Sequence, residues 1–186
     1  MDDLRPFIEK RDYSLIIGHS LGALTALALS AHLPSSHPTA IILVDPPLQA
    51  TPKLVSLYDN MFSEACANPK SAEAHSAENP VWKREDVIFR ELGLRLCSVD
   101  MVHGVLEVRT VLVGIVVVLI STWHNKPWYF LDYLKELSKK WKVTALVADP
   151  AVCMVYRAEM FNDSPHIRTV VVPGAGHWIQ MIFPRL

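Results

Sequence analysis

The segment Tyr13 to Leu29, "YSLIIGHSLGALTALAL", leaves a chain few ways to fold. A short apolar run bounded by glycine predicts a strand buried on both faces, central in a parallel sheet. Strong helix formers from Leu21 to His32 predict a helix that stops before Pro34. Between them stands Ser20, with Gly18 two positions before it and Gly22 two positions after. A sharp strand-to-helix turn strains the serine backbone and crowds those two flanking positions, so both glycines are expected to be there for want of a Cβ atom. Such a turn pushes Ser20 out as an exposed nucleophile. The bland alternative is a helix-capping serine in a glycine-rich turn. Ala40 to Val44, "AIILV", is a further apolar run ending at "DPP", and strand, helix and strand within about 30 residues make a βαβ unit.

Farther along, Leu54, Leu57, Tyr58, Met61, Phe62 and Ala65 recur at helical spacing, predicting an amphipathic helix over Thr51 to Ala67 that Asn68-Pro69 ends. The polar "NPKSAEAHSAENP" reads as a surface loop. Ile88, Leu92, Leu96 and Val99 predict another helix, and Pro127 is expected to open one running through Trp128, Leu131, Leu134 and Leu137 to Lys140. "KVTALVADP" and "IRTVVVPGAGH" supply two more buried strands. Strands and helices thus alternate except from 48 to 126, a stretch read as helical and inserted. Within it, "TVLVGIVVVLIST" (Thr110 to Thr122) is uncharged over 13 residues. A transmembrane helix needs about 20, so a membrane span is not the favoured reading.

Composition narrows the function. Lys and Arg number 18 against 19 Asp and Glu, for a net charge of -1. No basic run stands out, which removes nucleic acid as a partner. Cys66, Cys97 and Cys153 are odd in number and contain no CxxC pair, so neither a disulfide framework nor a zinc site is indicated. The opening "MDDLRPFIEKR" lacks an apolar core, and with free thiols this points to a reducing, cytoplasmic setting.

A serine nucleophile needs a base, and the base an orienting carboxylate. His177, in "VVVPGAGHW", lies just past the last strand on a loop loose enough to reach Ser20. Asp149, in "ALVADP", ends the preceding strand, and the crevice outside such strand ends is where open α/β sheets place their sites. The backbone N–H of Leu21, at the helix start, points where an oxyanion would form. The remaining histidines read as surface residues, except His19, which is expected to pack or hydrogen-bond locally.

"IIGHSLGALTALAL", "AIILVDPPL", "VTALVADP" and "VVVPGAGHW" together resemble the α/β-hydrolase fold superfamily, in its esterase, thioesterase and C–C hydrolase branches. The resemblance implies an α/β fold with a mostly parallel sheet, Ser20 as nucleophile, Asp149 as acid and His177 as base. It implies a core of residues 1–47 and 127–186, with 48–126 as a helical cap. It implies a small-molecule acyl substrate and no metal or organic cofactor. Serine at this turn disfavours the branches with a carboxylate nucleophile, the epoxide hydrolases and haloalkane dehalogenases. Asp45 competes for the acid role, because some members carry the acid after that strand; the following Pro46-Pro47 suits a turn into the cap, and Asp45 is read as structural.

Two departures stand out. Ser20 comes so early that the strands normally preceding the nucleophile, with the loop that donates a second oxyanion N–H, have no counterpart; a partial hydrolase fold is expected, with Tyr13 to Ile17 an apolar edge open to self-association. Val108 to Ser121 interrupts the expected cap, and reads either as a translated intron or as a native apolar segment of it. The rival to an active hydrolase is a catalytically silent fragment or binding remnant.

Overall fold

A computed structural model describes residues 4–34, 39–106, 128–153, 158–162 and 164–182. The apolar segment at 108–121 lies outside them. Two compact units are present, Met1–Gln49 with Tyr129–Leu186, and Ala50–Trp128.

The first unit is built on a parallel sheet. A short helix α1 (Arg5–Glu9) precedes β1 (Leu15–His19), helix α2 (Leu21–Ser30) and β2 (Ala40–Val44). After a two-residue strand β3 (Gln49–Ala50), which pairs with β4 (Trp128–Tyr129), come a helix over Phe130–Ser138, β5 (Lys142–Ala148), a 3-10 turn (Ala158–Phe161), β6 (Ile167–Val172) and a final 3-10 turn (Ile179–Met181). The four long strands stand in the order β1-β2-β5-β6. Each adjacent pair is parallel. Because β1 and β2 are joined by α2, they lie side by side, as consecutive strands of a βαβ unit do.

Ala23, Leu24, Ala26, Leu27 and Leu29 of α2 are all buried. Apolar residues therefore cover most of the helix, as befits one packed against a sheet. The helix over Phe130–Ser138 buries Phe130, Leu131, Leu134 and Leu137, a stripe of helical period, and is less extensive than the sequence predicted. Its expected first residues are instead extended at Trp128–Tyr129, and the Phe130 N–H donates to the Leu48 carbonyl at 2.9 Å.

Among the described residues β1 is an edge of the four-stranded sheet, as expected for a partial fold, and not the central strand that its apolar run by itself suggested. Leu15 is 46% and Ile17 61% exposed. An apolar run reads the same whether a neighbour covers it or not, so periodicity alone could not distinguish the two.

The second unit is helical: α3 (Pro52–Ala67), α4 (Ala72–Glu78), α5 (Arg84–Leu96) and α6 (Val99–Leu106). Thr51 caps α3 by accepting from the Leu54 N–H at 3.2 Å. Helix α4 replaces the expected surface loop. Ser71 caps it through the Ala74 N–H, Glu91 of α5 accepts from the Ala72 N–H at 2.7 Å, and Ala72 and His75 are buried. A helix this short is marginal alone and depends on such tertiary support, which a local reading cannot see. The predicted helix around Ile88 forms, but Val87 and Leu94 are its buried apolar residues, while Ile88, Leu92 and Leu96 are exposed.

Candidate active site

The site is assembled where β1, β2 and β6 end. Ser20 directly follows β1 and sits at φ 51° and ψ -122°, a left-handed conformation that a residue with a side chain rarely adopts. Its N–H donates to the Val44 carbonyl and its own carbonyl accepts from the Ala23 N–H, both at 2.9 Å, so neighbouring backbone holds the strained turn. A Cβ added at Gly18 would lie 2.4 Å from the Gly22 carbonyl oxygen, which is why that position is glycine. The matching expectation for Gly22 is corrected. A Cβ there would meet nothing within 4 Å, since Gly22 is exposed at the start of α2.

The Ser20 hydroxyl makes no capping bond to α2. It lies instead 3.0 Å from Nε2 of His177. On the far side of the imidazole, Nδ1 of His177 is 2.6 Å from Oδ2 of Asp45. A carboxylate only accepts, so Nδ1 carries the ring hydrogen, and Nε2 presents its lone pair to the Ser20 O–H. Asp45 is fully buried at φ 44°, its N–H donating to the Leu146 carbonyl at 2.8 Å and its Oδ1 accepting from the Ala148 N–H at 3.2 Å.

Register explains this meeting. His19 pairs with Val44 across β1 and β2, so Ser20 and Asp45 are the next residues off two adjacent parallel strands. Such strands lie about 4.8 Å apart, which leaves room for one imidazole to touch both side chains.

His177 is held over them by a loop anchored on both sides. Ala175 and Ile179 are fully buried and pack with Val44 and Val172. The Ala175 N–H donates to the Val172 carbonyl at 3.1 Å.

The structure thus brings Asp45 to His177 and does not bring the expected Asp149 there. Strand β5 runs past the level where β2 ends, since Val44 pairs with Leu146 while Ala148 pairs with Val172. Asp149 is therefore carried to the turn after β6. Its Oδ2 accepts from the Gly174 N–H at 2.7 Å, its Oδ1 from the Ala151 N–H at 2.9 Å, and its N–H donates to the Ala175 carbonyl at 2.8 Å. The backbone bonds from Gly174 and then Ala151 hold its carboxyl below the ordinary aspartate range. The usable signal for Asp45 was topological: the second strand of a βαβ unit is the neighbour of the first, so its exit residue lies beside the Ser20 turn.

His19, expected to pack or hydrogen-bond locally, does so with residues far along the chain. Its Nε2 is 2.9 Å from the carbonyl oxygen of His177, and its ring centroid lies 4.8 Å from that of His177 and 5.0 Å from that of Trp178. Leu21, the residue expected to supply an oxyanion donor, is the first of α2, immediately after Ser20.

A parallel sheet in which a strand runs through a strained serine turn into a helix fits part of an α/β-hydrolase fold. Residues 2–181 match the alpha/beta hydrolase family, and the chain belongs to it. Among solved structures it is similar to N-formylmaleamic acid deformylase from Pseudomonas putida, with 20% identity and a TM-score of 0.64. It is similar also to E-2-(acetamidomethylene)succinate hydrolase (15%, 0.64) and to the thioesterase domain from the curacin biosynthetic pathway (17%, 0.55). In all three cases the alignment covers 97% of this chain and 66% of the other. The chain therefore spans just under two thirds of these structures and has a partial α/β-hydrolase fold. No curated protein matches it. No helix among the described residues is long and apolar enough to cross a membrane.

Proposed function

We propose that this member of the hydrolase family is a serine hydrolase acting on esters, thioesters or similar acyl substrates, with Ser20 as nucleophile, His177 as base and Asp45 as the orienting acid. The observation that carries the reading is the unbroken hydrogen-bond chain from Ser20 Oγ through both nitrogens of His177 to Asp45. Ser20 Oγ attacks the substrate carbonyl carbon while His177 Nε2 takes the hydroxyl proton, and the Leu21 N–H at the start of α2 stabilises the oxyanion. Collapse of the tetrahedral adduct breaks the bond to the leaving group, which receives the proton from Nε2. Water, deprotonated by His177 in the same way, then releases the acid product and restores Ser20. Asp45 stays ionised throughout and stabilises the imidazolium that forms in each half-reaction.

The deformylase, hydrolase and thioesterase among the similar structures are compatible with this reaction class, and none of them assigns a substrate here. Labelling with a fluorophosphonate probe is the direct test. The wild-type chain should be modified at Ser20, and Ser20→Ala should be neither labelled nor active on p-nitrophenyl esters. Equal turnover by Ser20→Ala would remove the nucleophile assignment, and an unlabelled, inactive wild-type chain would favour the silent remnant.

A further inference from the structure

The loop that carries His177 contains Gly174 at φ 71° and Gly176. Such a loop is a pliable mount for a base whose position must hold to a fraction of an ångström. Asp149 grips its beginning through Gly174 and Ala175. At the base itself the grip comes from His19, whose Nε2 lies 2.9 Å from the His177 carbonyl oxygen, across 158 positions of sequence. A carbonyl oxygen only accepts, so His19 carries a hydrogen on Nε2 and donates it. His19 is also the last residue of β1 and the covalent neighbour of Ser20.

We propose that His19 is a positioning residue for His177. It ties the backbone of the base to the residue next to the nucleophile, so that the separation of Ser20 Oγ and His177 Nε2 is set across a closed ring of short links: His19 to Ser20 by a peptide bond, Ser20 to His177 side chain to side chain, and His177 back to His19 through its carbonyl. The inference rests on the reading of Ser20 and His177 as nucleophile and base. What it adds is that the residue before the serine acts through its imidazole N–H, and not only by filling space beside Trp178.

The test uses the full chain with His19→Phe and His19→Leu, which remove the donor, and His19→Gln, whose amide N–H reaches a similar distance. A misplacement of about 1 Å costs about 10²-fold in rate, so both donor-less variants should lose roughly 10- to 100-fold in kcat on p-nitrophenyl esters with KM nearly unchanged. His19→Gln should recover most of the loss. Two donor-less variants keep the comparison standing if one fails to fold, as judged by circular dichroism. An independent readout is the NMR resonance of the His177 Nδ1–H, whose exchange with water should quicken in the Phe and Leu variants and slow again in His19→Gln. That measurement needs no turnover, so it judges His19 even if the nucleophile assignment fails. Unchanged kcat and unchanged Nδ1–H exchange in the donor-less variants would overturn the proposal. So would a loss in His19→Gln as deep as in His19→Phe, which would assign the effect to ring packing.

Discussion

At the scale of single residues, Ser20 and Asp45 are the two described non-glycine residues with positive φ, at 51° and 44°. Strain of this kind costs on the order of 1–3 kcal/mol per residue and persists only where surrounding structure enforces it. At Asp45 the enforcement comes from bonds to Leu146 and Ala148. Asparagine tolerates a positive φ and has nearly the same shape, so Asp45→Asn should fold normally. Its amide would donate to His177 Nδ1, move the ring hydrogen to Nε2 and lower kcat by about 10⁴. Asp149→Asn should cost much less, within about tenfold, because it loosens the loop without changing the tautomer. Steady-state kinetics on a p-nitrophenyl ester rank the two, and the opposite order would return the acid to Asp149. The flanking glycines separate as cleanly. Gly18→Ala drives a Cβ into the Gly22 backbone and should destabilise by about 1–3 kcal/mol. Gly22→Ala meets open space in a helix and should stabilise by up to about 1 kcal/mol. Urea unfolding midpoints distinguish them.

Among the elements, the loop after β6 is held in part by a charge. The carboxyl of Asp149 is held below its ordinary range by the Gly174 N–H and then the Ala151 N–H. The folded state therefore binds the proton less readily than the unfolded one. This contribution is fully present above the ordinary aspartate pKa and is lost as pH falls through the lower folded value. Hydrogen exchange at the Gly174 amide should thus rise, relative to core amides, only on the acid side of about pH 4. Asp149→Asn should remove that acid limb. Exchange at Gly174 that is indifferent to pH in the wild-type chain would show that the carboxylate does not hold the loop. Elements in this fold were legible to different degrees for physical reasons. Strand β2 falls on the apolar run Ala40–Val44 because its alternate residues Ile41 and Leu43 are fully buried. Helix α4 was unreadable because its order comes from Glu91 and a buried face.

For the molecule as a whole, β1 leads into the Ser20 turn and, among the described residues, also ends the four-stranded sheet with Leu15 and Ile17 exposed. An apolar strand edge presents unpaired backbone groups and invites pairing with another chain. The 186-residue protein is accordingly expected to self-associate. Ile17→Lys should shift it toward monomer in size-exclusion chromatography, since an edge lysine resists strand addition. A wild-type chain that elutes as a monomer at all concentrations would dispose of the edge as an association surface.

The Ser20 turn was present in the sequence because it is local: Gly18, Ser20 and the apolar runs on either side settle the strand, the strained turn and the helix within a few bonds of one another. His177 was legible for a related reason, as a histidine just past a strand end on a glycine-containing loop. The carboxylate was not. Asp45 and Asp149 both follow strands, and the Pro46-Pro47 pair that made Asp45 read as structural says nothing of what its carboxylate meets. Their difference arises from how far each strand runs in the sheet. Strand β2 stops level with β1 and delivers Asp45 beside Ser20, whereas β5 continues toward the turn of β6 and engages Asp149 with Gly174. The reach of His19 to the His177 carbonyl is of the same kind. Register and relative strand length are properties of the assembled sheet, and only there do residues distant in the chain become neighbours.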